Sequence, residues 1–328
     1  MKPFQLFTFF TILLTCSYTY GQDFHMSQYD ANPLYLNPAL TGFRLPEENE
    51  IRLNVNYRDQ GGRHLTTSYK TVAAGLDLPI NKKFSIGQIV IDNKGANGAF
   101  NTLNLLLSSS YKIIYKMAEN GLYHHLSVGL QMGLLQKSFN TTGFVYDSQY
   151  SANAPDGFDT SLPSGENITS QTNYGFDANM GVFYSAIQQN KNVPQLGFSV
   201  YHFNQTDDSF NSVARKTPMR FVLHGGYSYS LTNGFRILPQ FFYLNQGNAN
   251  ELNLGLLGFY KISGSENEPM LGISYRHKDA IILHAGLKQK NLLARISYDI
   301  TTNYLRKYSS VRGGLELTLI VFFGKGNN

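Results

Sequence analysis

Few residues in this chain have a type and spacing that could support metal binding or catalysis. Two pairs of adjacent residues are candidates for metal binding. His124 lies next to His125, and Asp207 lies next to Asp208. Neighbouring residues of a strand point to opposite faces, so the two histidines cannot readily chelate one ion. The aspartate pair lacks the regularly spaced oxygen ligands of a calcium loop. We therefore predict a strand end for the first pair, a solvated loop tip for the second, and no metal site.

Covalent catalysis also lacks a recognisable starting point. The chain has no Gly-x-Ser-x-Gly segment, and no serine, histidine and aspartate have the spacing that a triad would suggest. Its one cysteine, Cys16, lies close to the N-terminus. We therefore expect a protein that is not an enzyme and that carries no cofactor.

The first 21 residues have the layout of an export signal. A lysine precedes an apolar core at residues 4–14, and Gly21 provides a small residue before Gln22. We predict that residues 1–21 are a signal peptide and that the mature chain begins at Gln22. A lipid-attachment box ending at Cys16 is the alternative, although the threonine before this cysteine is bulkier than usual.

Composition after the leader favours a membrane protein that crosses with strands. No apolar run approaches the roughly 18 residues that a spanning helix requires. The chain has 22 Tyr, 23 Phe and 30 Gly but only 15% charged residues, a mixture typical of short alternating strands with aromatic rims. Its formal net charge of +5 is too small and too dispersed to predict a nucleic-acid partner.

Alternation of apolar and polar residues recurs along the chain far more than helical periodicity does. Between residues 126 and 134, apolar side chains alternate with serine, glycine and glutamine, which gives one face for lipid and one for a polar or crowded lumen. This pattern predicts an all-β fold, a transmembrane antiparallel β-barrel of about fourteen strands over residues 50–328. The predicted strands start near Glu50, Thr66, Phe84, Thr102, Leu122, Tyr174, Gln195, Met219, Phe235, Leu252, Pro269, Ala280, Leu292 and Arg312.

The lengths of the connections predict which end of the barrel faces the periplasm. An even number of strands puts both ends of the barrel on one side, and barrels of the outer membrane have short periplasmic turns and longer outer loops. The even-numbered connections are compact, for example at residues 79–83 and 289–291, whereas residues 136–173 and 204–218 form long polar connections. We therefore predict an outer-membrane location with both termini periplasmic.

Charged residues on the predicted strands should face the lumen. A lipid-facing basic residue costs roughly 2 to 4 kcal/mol at mid-depth, and an acidic one costs less. The residues concerned are Asp77, Glu251, Arg295, Asp299 and Glu316. The charged cluster at residues 276–279 and the pair Arg306-Lys307 are instead predicted to be hydrophilic loop tips, with a surface contact to a partner as the alternative.

The segment before the first strand contains two Asn-Pro pairs. Proline disfavours helical backbone at the residue before it, so we predict turns and extended chain here. The apolar residues between the prolines would be poorly placed in solvent, which favours a segment tucked inside or across the periplasmic mouth over a plain lead-in to the barrel. Residues 22–49 are therefore predicted to form a plug. The candidates for the plug or a partner contact are Asn32, Pro33, Leu34, Tyr35, Asn37, Pro38 and Gly42.

Four stretches together resemble a known family. They are residues 27–42, with the sequence SQYDANPLYLNPALTG, and residues 86–113, 196–205 and 297–317. Their order and spacing resemble the PorP/SprF family of outer-membrane proteins, which is tied to type IX secretion and gliding motility in Bacteroidetes. The triplet Asn37-Pro38-Ala39 is also similar to the hatch segment of fatty-acid-transporter-like barrels.

The resemblance implies a structural and interaction role in type IX secretion or gliding. The implied partners are the periplasmic lipoprotein ring of the machine, a specific secreted adhesin, or both, besides outer-membrane lipid. The alternative is a fatty-acid-transporter-like channel for small apolar molecules, which would pass solute where a plugged secretion component need not. A barrel enzyme is the third class and would require esterase or protease turnover.

Overall fold

A computed structural model shows that the strands close into one barrel. It describes residues 23–43, 50–61, 68–117, 122–141, 144–166, 171–188, 193–210, 215–231, 234–303 and 312–324. The predicted signal peptide with Cys16, the predicted start at Gln22 and the pair Arg306-Lys307 lie outside these residues. Among the described residues, no helix is long and apolar enough to cross a membrane.

The barrel has fourteen antiparallel strands, each paired with its neighbours in sequence, and β1 pairs with β14 to close it. The strands are β1 Ile51–Gln60, β2 Tyr69–Pro79, β3 Phe84–Gly95, β4 Phe100–Met117, β5 Leu122–Phe139, β6 Thr172–Gln188, β7 Val193–Tyr201, β8 Arg220–Ser230, β9 Phe235–Gln246, β10 Ala249–Tyr260, β11 Asn267–Arg276, β12 Ala280–Gln289, β13 Leu292–Thr301 and β14 Arg312–Phe323. The predicted strand number is thus confirmed. Six predicted starts coincide with the observed ones. Five strands begin two or three residues earlier because ladder pairing extends beyond the stretch of clear alternation, and β1, β2 and β8 begin one to three residues later.

The two faces of each strand follow the predicted alternation. On β5, Val128, Leu130 and Met132 are exposed on the outside of the barrel, whereas Ser127 and Gln131 are buried on the inside. Apolar side chains on the outer surface match lipid, and polar side chains inside need partners within the lumen. The lumen-facing residues are therefore the ones that can build a site.

The two ends of the barrel differ in their connections. We call the end where β1 begins and β14 ends the terminal rim, and the opposite end the distal rim. The connections at the terminal rim are short, such as residues 80–83 and 290–291, whereas the distal rim carries the connections at 140–171 and 202–219. This is the predicted parity of short and long connections.

One pair of strands is joined over a shorter length than its neighbours. In the described residues, β6 and β7 pair only where Met180 to Ser185 face Val200 to Gln195, while β5 and β6 pair along their full length. Beyond Tyr201 the chain turns at His202, where φ is +56°. The Asn204 side chain then donates a hydrogen bond to the carbonyl of Phe176, at 2.6 Å, on the part of β6 that has no ladder partner in β7.

Candidate functional site: a plugged lumen

Residues 23–43, called the plug from here on, lie inside the barrel along its length. At one end the Asp23 amide donates to Gln246 Oε1, 2.9 Å away, at the distal end of β9. At the other end the Gly42 amide donates to Asp77 Oδ2, 2.6 Å away, near the terminal rim. Of the candidate plug residues, Pro33 is half-buried, and the others are buried: Asn32, Leu34, Tyr35, Asn37, Pro38 and Gly42.

The plug differs in two respects from the prediction. It fills the lumen from rim to rim and is not confined to one mouth. β1 begins and β14 ends at the same rim, whereas Asp23 lies near the distal rim. The reason is that the buried residues before Asn32 find hydrogen-bond partners on the distal half of the wall, which the apolar segment alone did not reveal. Which rim faces the periplasm stays a prediction.

Both prolines begin a helical turn, which corrects the prediction of turns and extended chain. Pro33 starts a four-residue α-helix, α1 (Pro33–Leu36), and Pro38 starts a single 3₁₀ turn, Pro38–Leu40. Proline fits the first position of a helix because the amide it lacks has no partner there. Asn37 precedes the second turn, and its side chain accepts a hydrogen bond from the Ala39 amide, at 2.9 Å.

A buried ionic cluster holds the distal half of the plug. We call it the latch, and its members are Arg58, Arg276, Asp299 and Glu316. Glu316 accepts hydrogen bonds from the amides of two successive plug residues, at 2.7 Å from Ser27 and 3.0 Å from Gln28. The Ser27 hydroxyl lies 2.7 Å from Asp299 Oδ1.

Within the latch, two cations balance two anions. The Arg58 guanidinium lies 2.8 Å from Asp299 and 3.0 Å from Glu316, and Arg276 lies 2.8 Å from Asp299. Arg276 was predicted to belong to an exposed loop tip. That prediction is wrong, because Arg276 is the last residue of β11 and its inward-facing parity buries its side chain in the lumen.

The charged strand residues that were predicted to face the lumen do so, and most of them bind the plug. Arg295 forms a two-pronged ion pair with Asp30 of the plug, at 2.7 and 2.9 Å. Asp77 holds the Gly42 amide and also pairs with Arg52, at 2.6 Å. All five are buried: Asp77, Glu251, Arg295, Asp299 and Glu316. They therefore fasten a plug and do not line an open pore.

The turn around Asn37 fits a bare patch of wall. The Asn37 side-chain amide donates to the carbonyls of Val182 and Phe198, at 3.0 and 3.3 Å. Gly181 on β6 lies so close to the Asn37 side chain that an added methyl group would collide with it. Gly129 on β5 likewise faces the backbone of Pro38 and Ala39. These two contacts were not predicted, although both glycines lie on the inner face that the alternation of their strands indicates.

The distal end of the plug rests on a histidine between two carboxylates. His202 Nδ1 lies 2.8 Å from Asp177 and Nε2 lies 2.8 Å from Asp23 of the plug, while Arg220 lies 3.7 Å from Asp23. Burial alone would lower the pKa of His202, but the two carboxylates outweigh it and raise the pKa to about 9. Both ring nitrogens then donate, so the charged imidazole ties the plug to the wall.

This contact predicts a loss of stability in alkaline solution. Because the folded pKa of His202 lies above its ordinary value of 6.5, its contribution is fully present below that value and disappears as pH rises through about 9. The melting temperature of the wild-type barrel should therefore fall further between about pH 7 and about pH 10 than that of a His202→Gln variant. Equal falls in the two proteins would contradict this role for His202.

The adjacent pairs His124-His125 and Asp207-Asp208 do not form a metal site within the described residues. His124 points outward to the Tyr184 hydroxyl, 2.8 Å away, while His125 is buried beside Ser127. Asp208 pairs with Lys137, at 2.8 Å. Across the described residues, no group of three or more histidine, cysteine, aspartate or glutamate side chains is arranged to hold a metal ion.

The chain matches one known family along almost its whole length. A family model described as type IX secretion system membrane protein PorP/SprF matches residues 18–319. No curated protein matches the chain.

Solved structures of several outer-membrane barrels are similar to the chain. A FadL homologue from Pseudomonas aeruginosa shares 12% identity over 88% of this chain and 93% of that one, with a TM-score of 0.45. The Pseudomonas putida toluene transporter TodX shares 11% identity over 87% and 91%, with a TM-score of 0.48. The Ralstonia pickettii toluene transporter TbuX shares 13% identity over 88% and 92%, with a TM-score of 0.46.

Proposed function

Since the chain belongs to the PorP/SprF family of type IX secretion system membrane proteins, we propose that it is a plugged outer-membrane scaffold of that system. It receives a specific secreted adhesin at the cell surface and anchors the periplasmic part of the machine. The observation that carries this proposal is the filled lumen, because residues 23–43 are fixed to the wall from one rim to the other. A barrel closed in this way offers its two rims as surfaces for partners.

Each rim suits one of the two roles. The distal rim carries the connections at 140–171 and 202–219, and long loops on a rigid barrel are common binding surfaces. The short turns of the terminal rim offer a flat end that suits the periplasmic lipoprotein ring. The proposal contains no catalytic step, so esterase or protease turnover by the purified barrel would contradict it.

A channel for small apolar molecules is the rival function, favoured by a cavity of about 390 Å³ beside the plug. Passage through the barrel would require the plug to move, since Leu34, Tyr35 and the turn at Pro38 fill the lumen below the cavity. Swelling of liposomes that contain the barrel separates the two functions. A scaffold leaves the vesicles impermeable, whereas a channel admits solute.

The proposed orientation predicts which tags can be labelled on intact cells. Tags inserted in the distal connections, at Pro155 or Asp207, should be reachable by antibody because long loops face the cell exterior. A tag at Asn81, in a short terminal-rim turn, should be reachable only after the membrane is opened. The reverse pattern would contradict the orientation. Asn233, a further tag position on the terminal side, lies outside the described residues.

Loosening the plug tests the scaffold role directly. Replacing Leu34 and Leu36 with serine, or Pro33 and Pro38 with glycine, should leave the barrel inserted but reduce secretion or surface display of the adhesin, because the rims lose their internal support. Adhesin on the cell surface is measured beside the amount of barrel in the outer membrane. Serine at Leu107, which faces outward on β4, controls for a polar substitution. Normal display at unchanged abundance in the plug variants would contradict the proposal.

A further inference from the structure

A cavity of about 390 Å³ lies between the plug and the inner wall formed by β3 to β6, toward the distal rim. This volume lies within the range of pockets that bind small molecules. The plug contributes Phe24, Leu34 and Tyr35 to its lining, and residues of the 202–219 connection contribute to its outer end. The cavity thus exists only because the plug is in place.

The inner end of the cavity is apolar. Leu34 of the plug faces Ile89, Ile91, Leu106 and Leu135 of the wall, and all of these side chains are buried. Phe24 and Tyr35 stack at one side, with ring centroids 5.5 Å apart. An apolar body placed here would be removed from water on every side, which is the main favourable term in binding a small molecule.

The lining of the cavity also contains hydrogen-bond acceptors that have no partner among the described residues. Asn104 Oδ1 lies on β4 between its cross-strand neighbours Ile91 and Leu135, and Asp177 Oδ2 and Asp208 Oδ1 lie nearer the distal rim; all three atoms are buried and their residues line the cavity. The charges beside them are already balanced, since Asp177 faces His202 and Asp208 faces Lys137. A buried acceptor without a donor destabilises the structure. The cavity therefore favours a ligand with a neutral donor over one with a further charge.

We propose that the cavity binds one small neutral molecule with an apolar body and a hydroxyl group at one end. The apolar body lies against Leu34 and Leu135, and the hydroxyl donates its one hydrogen to one of the two acceptors, Asn104 Oδ1 or Asp177 Oδ2. The molecule is bound and does not pass through, because the plug closes the barrel toward the terminal rim. Since the ligand touches both plug and wall, its binding also stabilises the plugged state.

The test uses 4-butylphenol and butylbenzene, which differ by the hydroxyl group, on the purified full-length barrel in detergent. Equilibrium dialysis against the same detergent measures binding above partition into micelles. We expect saturable binding of one 4-butylphenol per barrel, weaker binding of butylbenzene, and a higher melting temperature with the phenol. Absence of saturable binding, or equal affinity for the two probes, would overturn the proposal.

A pair of tryptophan variants locates the binding site. Leu135→Trp fills the cavity and should weaken binding at least about tenfold, whereas Leu107→Trp is on the lipid face, where this leucine is 61% exposed, and should bind as the wild type does. Asn104→Leu removes an acceptor and should therefore reduce the difference in affinity between 4-butylphenol and butylbenzene. If Leu135→Trp does not insert, Ile91→Phe serves in its place. Equal binding in the cavity and lipid-face variants would refute the site.

Discussion

Replacing Glu316 with glutamine is expected to release the distal half of the plug and to raise the ion conductance of the reconstituted barrel. Glutamine keeps the size of the side chain but presents an amide group where a carboxylate oxygen now accepts an amide hydrogen of Ser27 or Gln28. It also removes one of the two carboxylates that contact Arg58, so that Arg58 keeps only Asp299, which it shares with Arg276. Breaking a buried ion pair by removing one partner costs about 3–5 kcal/mol.

Single-channel recording in planar bilayers measures this release. The wild-type barrel should show a flat baseline because the plug spans the lumen, and Glu316→Gln should show long openings. Glu268→Gln is the matched control. Glu268 pairs with Arg236, at 2.9 Å, on the wall of β9 and β11 and contacts no plug residue through its charge. Openings in the control, or none in Glu316→Gln, would show that the latch does not hold the plug.

The substitution Gly129→Ala is expected to displace the turn at Pro38 while the barrel itself still forms. The added methyl group would collide with the backbone of Pro38 and Ala39, and backbone atoms cannot move aside by changing a rotamer. Inserting such a group into a packed site costs about 1–3 kcal/mol. Because the same turn leads directly into Thr41 and Gly42 at the terminal rim, its displacement should loosen that half of the plug as well.

Limited proteolysis of the reconstituted protein detects the displaced turn. A change in gel mobility between unheated and heated samples reports whether the barrel is folded. Cleavage within the plug should become faster in Gly129→Ala and stay slow in Gly258→Ala. In the latter, the nearest atom to an added methyl group is the Leu271 carbonyl oxygen at 3.7 Å, an ordinary contact. Similar cleavage rates in the two variants would contradict the close fit of plug and wall.

Local periodicity was sufficient to predict the wall of the barrel. Alternation along strands such as β5, β13 and β14 was sufficient to predict the strand number and the inward position of Asp299 and Glu316. Arg276 is the exception, because it was predicted to lie in an exposed loop. The residue lies beside a turn, but alternation along β11 from Met270 and Ser274 indicates that its side chain faces the lumen.

The path of the plug could not be read from the sequence, because its partners are far away in the chain. Ser27 and Gln28 are ordinary polar residues until the fold brings Glu316 to them across 289 and 288 residues. Gly129 and Gly181 can be assigned to the inner face of their strands from the alternation, but nothing near them in the sequence indicates that residues 37–39 approach them. Apolar content alone indicated that residues near Leu34 would be buried, but not how far they would extend.

The latch joins the plug to the seam at which the barrel closes, and this has a consequence for the order of assembly. β1 and β14 pair along that seam, and Glu316 on β14 and Arg58 on β1 both contact Ser27. The segment that precedes the barrel in the chain is therefore fastened by the last strand of the barrel. Contacts so distant in the chain form late and slowly. Insertion of the plug and pairing of β14 with β1 should thus occur together. A barrel that closed before the plug had entered would leave the plug outside the lumen.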